Sequence, residues 1–217
     1  MTAQIDSPNP IQDELLKEGE ADAFIPYPPI GERLEHVPVS VRPDLFYYVS
    51  RMGFLPNTLK LYLHVPWAAE YLFRLNNAIM RDERNMLSEH FKYRLSFIAS
   101  RDNVCRYCTA HTVLVLKNRW GYSEDDLEKI LKMEDPVDER EAVAREFVAA
   151  ASWDPTGVPE ELLARLADHF VPQEVMEIVL LVGFWKMYNT MHSAMRAPLE
   201  DPVLPYGHWV EVSRDEP

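Results

Sequence analysis

The sequence predicts an all-α protein of roughly eight or nine helices. Three observations lead there. From Pro43 onward, apolar residues recur at three- and four-residue intervals almost without a break. No two alternating runs are joined by the two-residue turn that makes a hairpin. Proline, which occupies seven of its 17 positions within the first 43 residues, is absent between Trp67 and Asp135, so the long middle of the chain is free to be helical.

The elements follow in order. Residues 1–42 are expected to be a tail and a proline-rich arm: mobile to about residue 22, then ordered over Ala23–Val41, where apolar residues need a surface to lie on. Residues 43–217 are expected to form one helical domain. Asp44–Gly53 aligns Leu45, Tyr48, Val49 and Met52 and stops at a glycine. Pro56 opens Thr58–His64, and Pro66 opens Trp67–Arg81 with Trp67, Tyr71, Leu75, Ala78 and Ile79 on one face. Leu87–Ser100 carries Phe91, Leu95 and Ile98, and Val104–Trp120 ends at Gly121. Ser123 and Asp126 are spaced as a capping box ahead of Leu127, Ile130 and Leu131. Glu139–Ser152, Pro159–His169 and Pro172 to about Met195 complete the set. The last is apolar almost all round, which predicts a place in the middle of the core or against another subunit.

Composition excludes several classes of function. With 47% hydrophobic and 26% charged residues, the chain is of ordinary globular type. Its formal charge of −13 repels phosphates, which argues against nucleic acid as a partner. The longest apolar run, Ile178–Trp185, falls far short of the roughly 20 residues a membrane span needs. The acidic, proline-bearing amino terminus has no secretory character, and a cytoplasmic location is expected. The seven glycines are widely scattered, so neither a dinucleotide-binding turn nor a phosphate-binding loop can be written, and no cofactor is expected.

The only two cysteines stand three residues apart, as Cys105-Arg106-Tyr107-Cys108. A lone pair in a reducing compartment is a poor structural staple. Asn103 is a plausible N-cap, which would put both cysteines in the opening turns of the following helix. There their Cβ atoms would lie about 5–6 Å apart, against the roughly 3.5–4.5 Å a disulfide prefers. Such a bond would be strained and easily reduced, which suits exchange chemistry. The helix N-terminus, Arg101 and Arg106 would all favour a thiolate. His111 lies one turn beyond Cys108 and two beyond Cys105, so the imidazole favours Cys108 as nucleophile, Cys105 as resolving thiol and His111 as proton acceptor. The helix dipole alone favours the opposite order; the histidine is given more weight. The competing readings are a pair of small buried hydrophobes and a zinc site, which lacks an obvious fourth ligand. His64, His90, His169, His192 and His208 show no ligand spacing and are read as surface or packing residues, and Trp185 and Tyr188 as core or interface.

The segment Ala99-Ser-Arg-Asp-Asn-Val-Cys105-Arg-Tyr-Cys108-Thr-Ala-His111 resembles the signature of the carboxymuconolactone decarboxylase-like superfamily, in its alkylhydroperoxidase D and peroxidase-related branch. The resemblance is specific over about Leu87–Trp120 and looser over Asp44–Met195. It implies an AhpD-like helical bundle, here with an extended N-terminal arm, assembled as a homo-oligomer (trimer or hexamer). It also implies a cysteine pair cycling between dithiol and disulfide, in which the second cysteine attacks the hydroperoxide.

Two positions depart from that pattern. The family's proton relay begins with a glutamate twelve residues before the first cysteine, where this chain has Tyr93; Glu89, one turn earlier, is the candidate substitute. Tyr107 stands where alkylhydroperoxidase D has a histidine, and His111 follows the second cysteine by three residues rather than four. The expectation is therefore a thiol-dependent oxidoreductase acting on a small hydroperoxide or disulfide and recycled by a thiol reductant. Cys108, Cys105 and His111 would be catalytic, with Glu89, Tyr93 and Tyr107 as relay or pocket residues. The alternatives are a cofactor-free lyase of the decarboxylase type and a non-catalytic oligomeric binding protein.

Overall fold

The computed structural model describes residues 25, 27, 39 and 41–211. The expected mobile tail, and most of the expected arm, lie outside the described residues. Those described form nine α-helices, one long 3-10 segment and no strand, in agreement with the all-α expectation.

They divide into two compact units. One runs to Leu75 and includes Met195–Glu200; the other comprises Asn76–Ala194 and the segment from Asp201 onward. The boundary lies inside a helix, Pro66–Arg81, that no proline or glycine interrupts beyond its first residue.

In the first unit, α1 (Arg42–Met52) has proline in its first turn and ends at Gly53, whose φ of 79° is left-handed. Glycine takes that conformation without the Cβ penalty, which makes it a natural terminator. Leu45 and Val49 are buried. Residues Asn57–Tyr62 form α2, and Asn57 ties down the returning segment through the Pro198 carbonyl and the Glu200 carboxylate. The rings of Tyr48 and Tyr62 pack on Phe73 of α3 (Pro66–Arg81). Tyr27 is half-buried, with the Lys60 ammonium 5.8 Å from its ring centre.

The second unit is built on a helical hairpin, α4 (Glu89–Asp102) and α5 (Arg106–Trp120). Ser88 caps α4 by accepting the Phe91 N–H, and Gly121 ends α5 with φ 73°. The capping box of Ser123 and Asp126 forms as expected at the start of α6 (Glu124–Leu131). Then come α7 (Glu139–Trp153), capped by Asp138, and α8 (Glu160–His169). The 23-residue α9 (Pro172–Ala194) packs across α4, α5 and α7.

The core gathers Leu95, Phe97 and Ile98 from α4, Ala110, Val113 and Leu116 from α5, and Ile178 and Leu181 from α9. The 3-10 segment Leu204–Glu211, which the sequence reading missed, lies along α5 and inserts Trp209 edge-on against Phe97. Only one side of α9 is buried: Met176, Val179 and Leu180 are exposed, so the helix is not central to the core. Among the described residues no helix is long and apolar enough to cross a membrane.

Candidate functional site

The connection between α4 and α5 determines where the cysteines stand. Asn103 is not the cap that opens α5; it closes α4, its N–H bonding the Ala99 carbonyl at 3.0 Å. Val104 then takes a left-handed φ of 53°, a conformation that strains a β-branched residue. Cys105 follows in extended conformation and is itself the N-cap of α5. Its sulfur accepts the Cys108 N–H at 3.4 Å, and its carbonyl accepts the Thr109 N–H at 2.9 Å. Rankings of capping residues put asparagine well ahead of cysteine, which is why the sequence reading started the helix two residues early.

This corrects the expected cysteine geometry. The two are not both helical residues with Cβ atoms a full turn apart. Cys105 folds back over the helix start, and the two thiols are close enough to hydrogen-bond to one another. Both are free and sealed from bulk water, with 0% and 3% of their surface exposed.

Their electrostatics differ. The Cys105 thiol is pulled from its usual 9.0 to about 7, chiefly by the hydrogen bond from the Cys108 thiol. Burial opposes that shift, while the Ser193 hydroxyl, the Cys108 N–H and, least, the charge of His111 add to it. Cys108 is pushed well above 9.0, first by burial and then by Cys105. Cys105 is thus the more readily ionised thiol of the pair, and Cys108 the one that holds its proton more tightly.

The histidine on Cys108 is a second correction. His192, in the last turn of α9, brings Nδ1 to 3.0 Å from the Cys108 sulfur. His111 instead bonds the Tyr107 carbonyl through Nδ1 at 2.8 Å; since a carbonyl only accepts, that nitrogen carries the proton. His192 is 7% exposed, and burial followed by repulsion from His111 lowers its pKa from 6.5 to about 3. It is neutral across the physiological range, and with its proton on Nε2 it offers Cys108 a lone pair.

Tyr107 joins the two imidazoles. Its ring stacks on His111 at 4.1 Å between centres and meets His192 edge-on at 5.3 Å. Tyr188 supports His192 from the same helix at 5.1 Å. The sequence reading missed His192. It lies 84 residues from Cys108, and no local pattern marks it apart from its neighbour Ser193, whose hydroxyl reaches the other cysteine.

The candidate relay residues on α4 are elsewhere engaged. Both carboxylate oxygens of Glu89 bind Arg119, at 2.6 and 2.8 Å. Arg119 lies eight residues beyond His111, about two turns further along α5. Tyr93 packs its ring against Trp120 at 5.5 Å. Of the six residues singled out from sequence, Cys105, Cys108, His111 and Tyr107 come together; Glu89 and Tyr93 face the other end of the hairpin. No group of three or more potential metal ligands occurs among the described residues.

An alkylhydroperoxidase AhpD core, described as an uncharacterized peroxidase-related protein from Ralstonia eutropha JMP134, superposes with a TM-score of 0.73 over 87% of this chain and 98% of that one, at 18% identity. The fold is that of the AhpD core. It is the fold anticipated from the CxxC segment, and at this identity the likeness speaks to architecture alone.

The chain is also similar in structure to the debrominase Bmp8, with a TM-score of 0.69 and 20% identity over 79% of this chain and 92% of that one. A cysteine-to-alanine variant of Bmp8 is solved in complex with 2,3,4-tribromopyrrole. Among curated proteins, the uncharacterized protein YnjA of Escherichia coli (strain K12) is 24% identical over 168 residues, spanning 77% of this chain and 92% of YnjA. No protein-family profile matches the chain.

Proposed function

We propose that the protein is a thiol-dependent oxidoreductase that reduces hydroperoxides or small disulfides through Cys105 and Cys108. The observation that carries this reading is the asymmetric pair: one thiol drawn to about 7 at a helix start, the other buried and backed by a neutral imidazole. Thiolate, not thiol, is the nucleophile, so Cys105 attacks and Cys108 resolves. That is the reverse of the order expected from sequence.

With a hydroperoxide, the Cys105 thiolate attacks the terminal oxygen and the O–O bond breaks. The alkoxide leaves as the alcohol after taking a proton from water, and the sulfur is oxidised to a sulfenic acid. As the Cys108 sulfur attacks Cys105, its proton moves through His192 Nδ1, 3.0 Å away, to the departing hydroxide in one concerted step, so the S–S bond forms as the S–O bond breaks and hydroxide leaves as water. The disulfide that remains is returned to two thiols by an external thiol reductant, in a two-electron exchange. With a disulfide substrate the first product is a mixed disulfide on Cys105, and Cys108 expels the second thiol. A pair that must be reduced again after each turnover suits a reducing compartment such as the cytoplasm. Assembly into a homo-oligomer would use an apolar surface such as the exposed side of α9.

The test is trapping by mass spectrometry after peroxide treatment. Wild type should form the Cys105–Cys108 disulfide, and Cys108→Ser should accumulate a dimedone-reactive sulfenic acid on Cys105. Cys105→Ser should react at least about a hundredfold more slowly. A sulfenic acid trapped on Cys108 instead would restore the order expected from sequence. Thiols untouched by peroxides and disulfides alike would end the redox reading in favour of a binding protein, and lactone or β-keto acid turnover by a double Cys→Ala variant would favour a lyase.

A further inference from the structure

Beside Cys105 lies a cavity of about 350 Å³, near the lower end of the roughly 300–1,000 Å³ typical of small-molecule sites. Its walls come from the α4–α5 connection, the end of α7 and the last turns of α9, and Ser193 is one of them. The Ser193 hydroxyl that lines the cavity is also a hydrogen-bond partner of Cys105, so the cavity ends one side chain from the proposed nucleophile.

Several polar groups on its walls lack partners. Asn189 and Ser152 are 2% and 0% exposed, yet Asn189 Oδ1 and Ser152 Oγ have no hydrogen-bond partner, and neither do Oδ1 and Nδ2 of Asn103. A buried polar atom left unpaired costs roughly 1–3 kcal/mol, so three such side chains around one cavity point to a ligand that satisfies them. Lys186 supplies a charge. Its ammonium bonds the Ser152 carbonyl at 2.7 Å and pairs with no carboxylate among the described residues. The other charge on the lining, Asp102, is already matched by Arg101 at 2.9 Å. Trp153, four-fifths exposed, offers an apolar plane at the rim.

We infer that this cavity binds the carboxylate and adjoining amide of an acylated amino acid or short peptide, whose oxidised side chain is presented to Cys105. Lys186 pairs with the carboxylate, Asn103 and Asn189 bond the amide, and Trp153 covers the apolar side chain. The inference rests on the redox reading for its chemistry but not for its binding. Two electrophiles fit the same head: a hydroperoxide on the side chain, which loses its terminal oxygen to Cys105 and leaves as the alcohol, and a disulfide, which leaves as the thiol.

Two measurements test it. The first is binding without chemistry: N-acetyl-leucine should raise the melting temperature of wild type and of Lys186→Arg, but not of Lys186→Met. The second is selectivity: N-acetyl-leucine hydroperoxide should form the Cys105–Cys108 disulfide at least about tenfold faster than its methyl ester, and N,N′-diacetylcystine faster than its dimethyl ester. Lys186→Met should bring both ratios close to one, and Lys186→Arg should retain them. Retention of only one ratio in wild type identifies the electrophile.

Absence of N-acetyl-leucine binding to wild type, or an acid-over-ester preference that survives in Lys186→Met, overturns the inference. Binding that depends on Lys186 while the thiols stay unreactive would leave the cavity as assigned and remove the redox reading.

Discussion

The two ends of the α4–α5 hairpin carry similar residue types and do different work. At the open end, away from the cysteines, the polar groups are matched: Glu89 with Arg119, and His90 with the Tyr122 hydroxyl at 2.8 Å while its ring stacks on Trp120. At the closed end a valine sits in left-handed backbone, two thiols are hydrogen-bonded to one another, and the side chain of Asn103 is left without a partner. A satisfied end holds the hairpin together, whereas an unsatisfied, strained one is what a reaction or a ligand uses. The glutamate and the tyrosine nominated from sequence belong to the first kind of end, and the histidine overlooked belongs to the second.

The largest expected effect separates the ends at once. His192→Asn should slow closure of the disulfide by about 10²–10⁴-fold, the usual contribution of a positioned base, while leaving the initial oxidation of Cys105 unchanged. Rapid-mixing kinetics that resolve the two steps check this. Equal slowing of both would mean that His192 holds the site's shape and takes no part in moving the proton.

A pH series sharpens the contrast further. Alkylation of Cys105 should follow a midpoint near 7 and fall tenfold for each pH unit below it, with Cys108 reacting only well above 9. Stability has its own acid limb. His192 is held neutral in the fold, with its pKa near 3, whereas the unfolded chain takes up that proton below about 6.5. The stability this group contributes is therefore complete above pH 6.5 and lost as pH falls towards 3. His192→Asn should flatten that limb, measured by denaturant melts at pH 4 and pH 7.

At the satisfied end the effects should be small. Glu89→Gln breaks a partly exposed ion pair and should cost about 0.5–1 kcal/mol of stability, with peroxide turnover within about twofold of wild type. A tenfold loss of turnover would return Glu89 to the relay.

The smallest effect is a gain. Val104→Asn should relieve left-handed strain, since asparagine tolerates that region, and add about 1 kcal/mol of stability. The alkylation midpoint of Cys105 should not move.

How much was legible in advance follows from the range of each force. Helix positions were read within a residue or two because periodicity, the prolines opening α2 and α3, the glycines ending α1 and α5 and the capping box of α6 all act within one or two turns. The pairing of Cys105 with Cys108 was legible for the same reason. The start of α5 was misread by two residues, because what decides it is the backbone of α4 closing on Asn103, a contact of the hairpin and not of the local sequence.

The cap and the buried apolar faces were thus written in neighbouring residues. The imidazole that meets Cys108, the hydroxyl that meets Cys105 and the incompletely bonded amides beside them come from the ends of α4 and α9, brought together only by packing. Nothing within a few residues of His192 or Glu89 distinguishes an imidazole that meets a thiol from a carboxylate that meets an arginine. Burial and partner choice are properties of the assembled core, and the chemistry of this site depends on both.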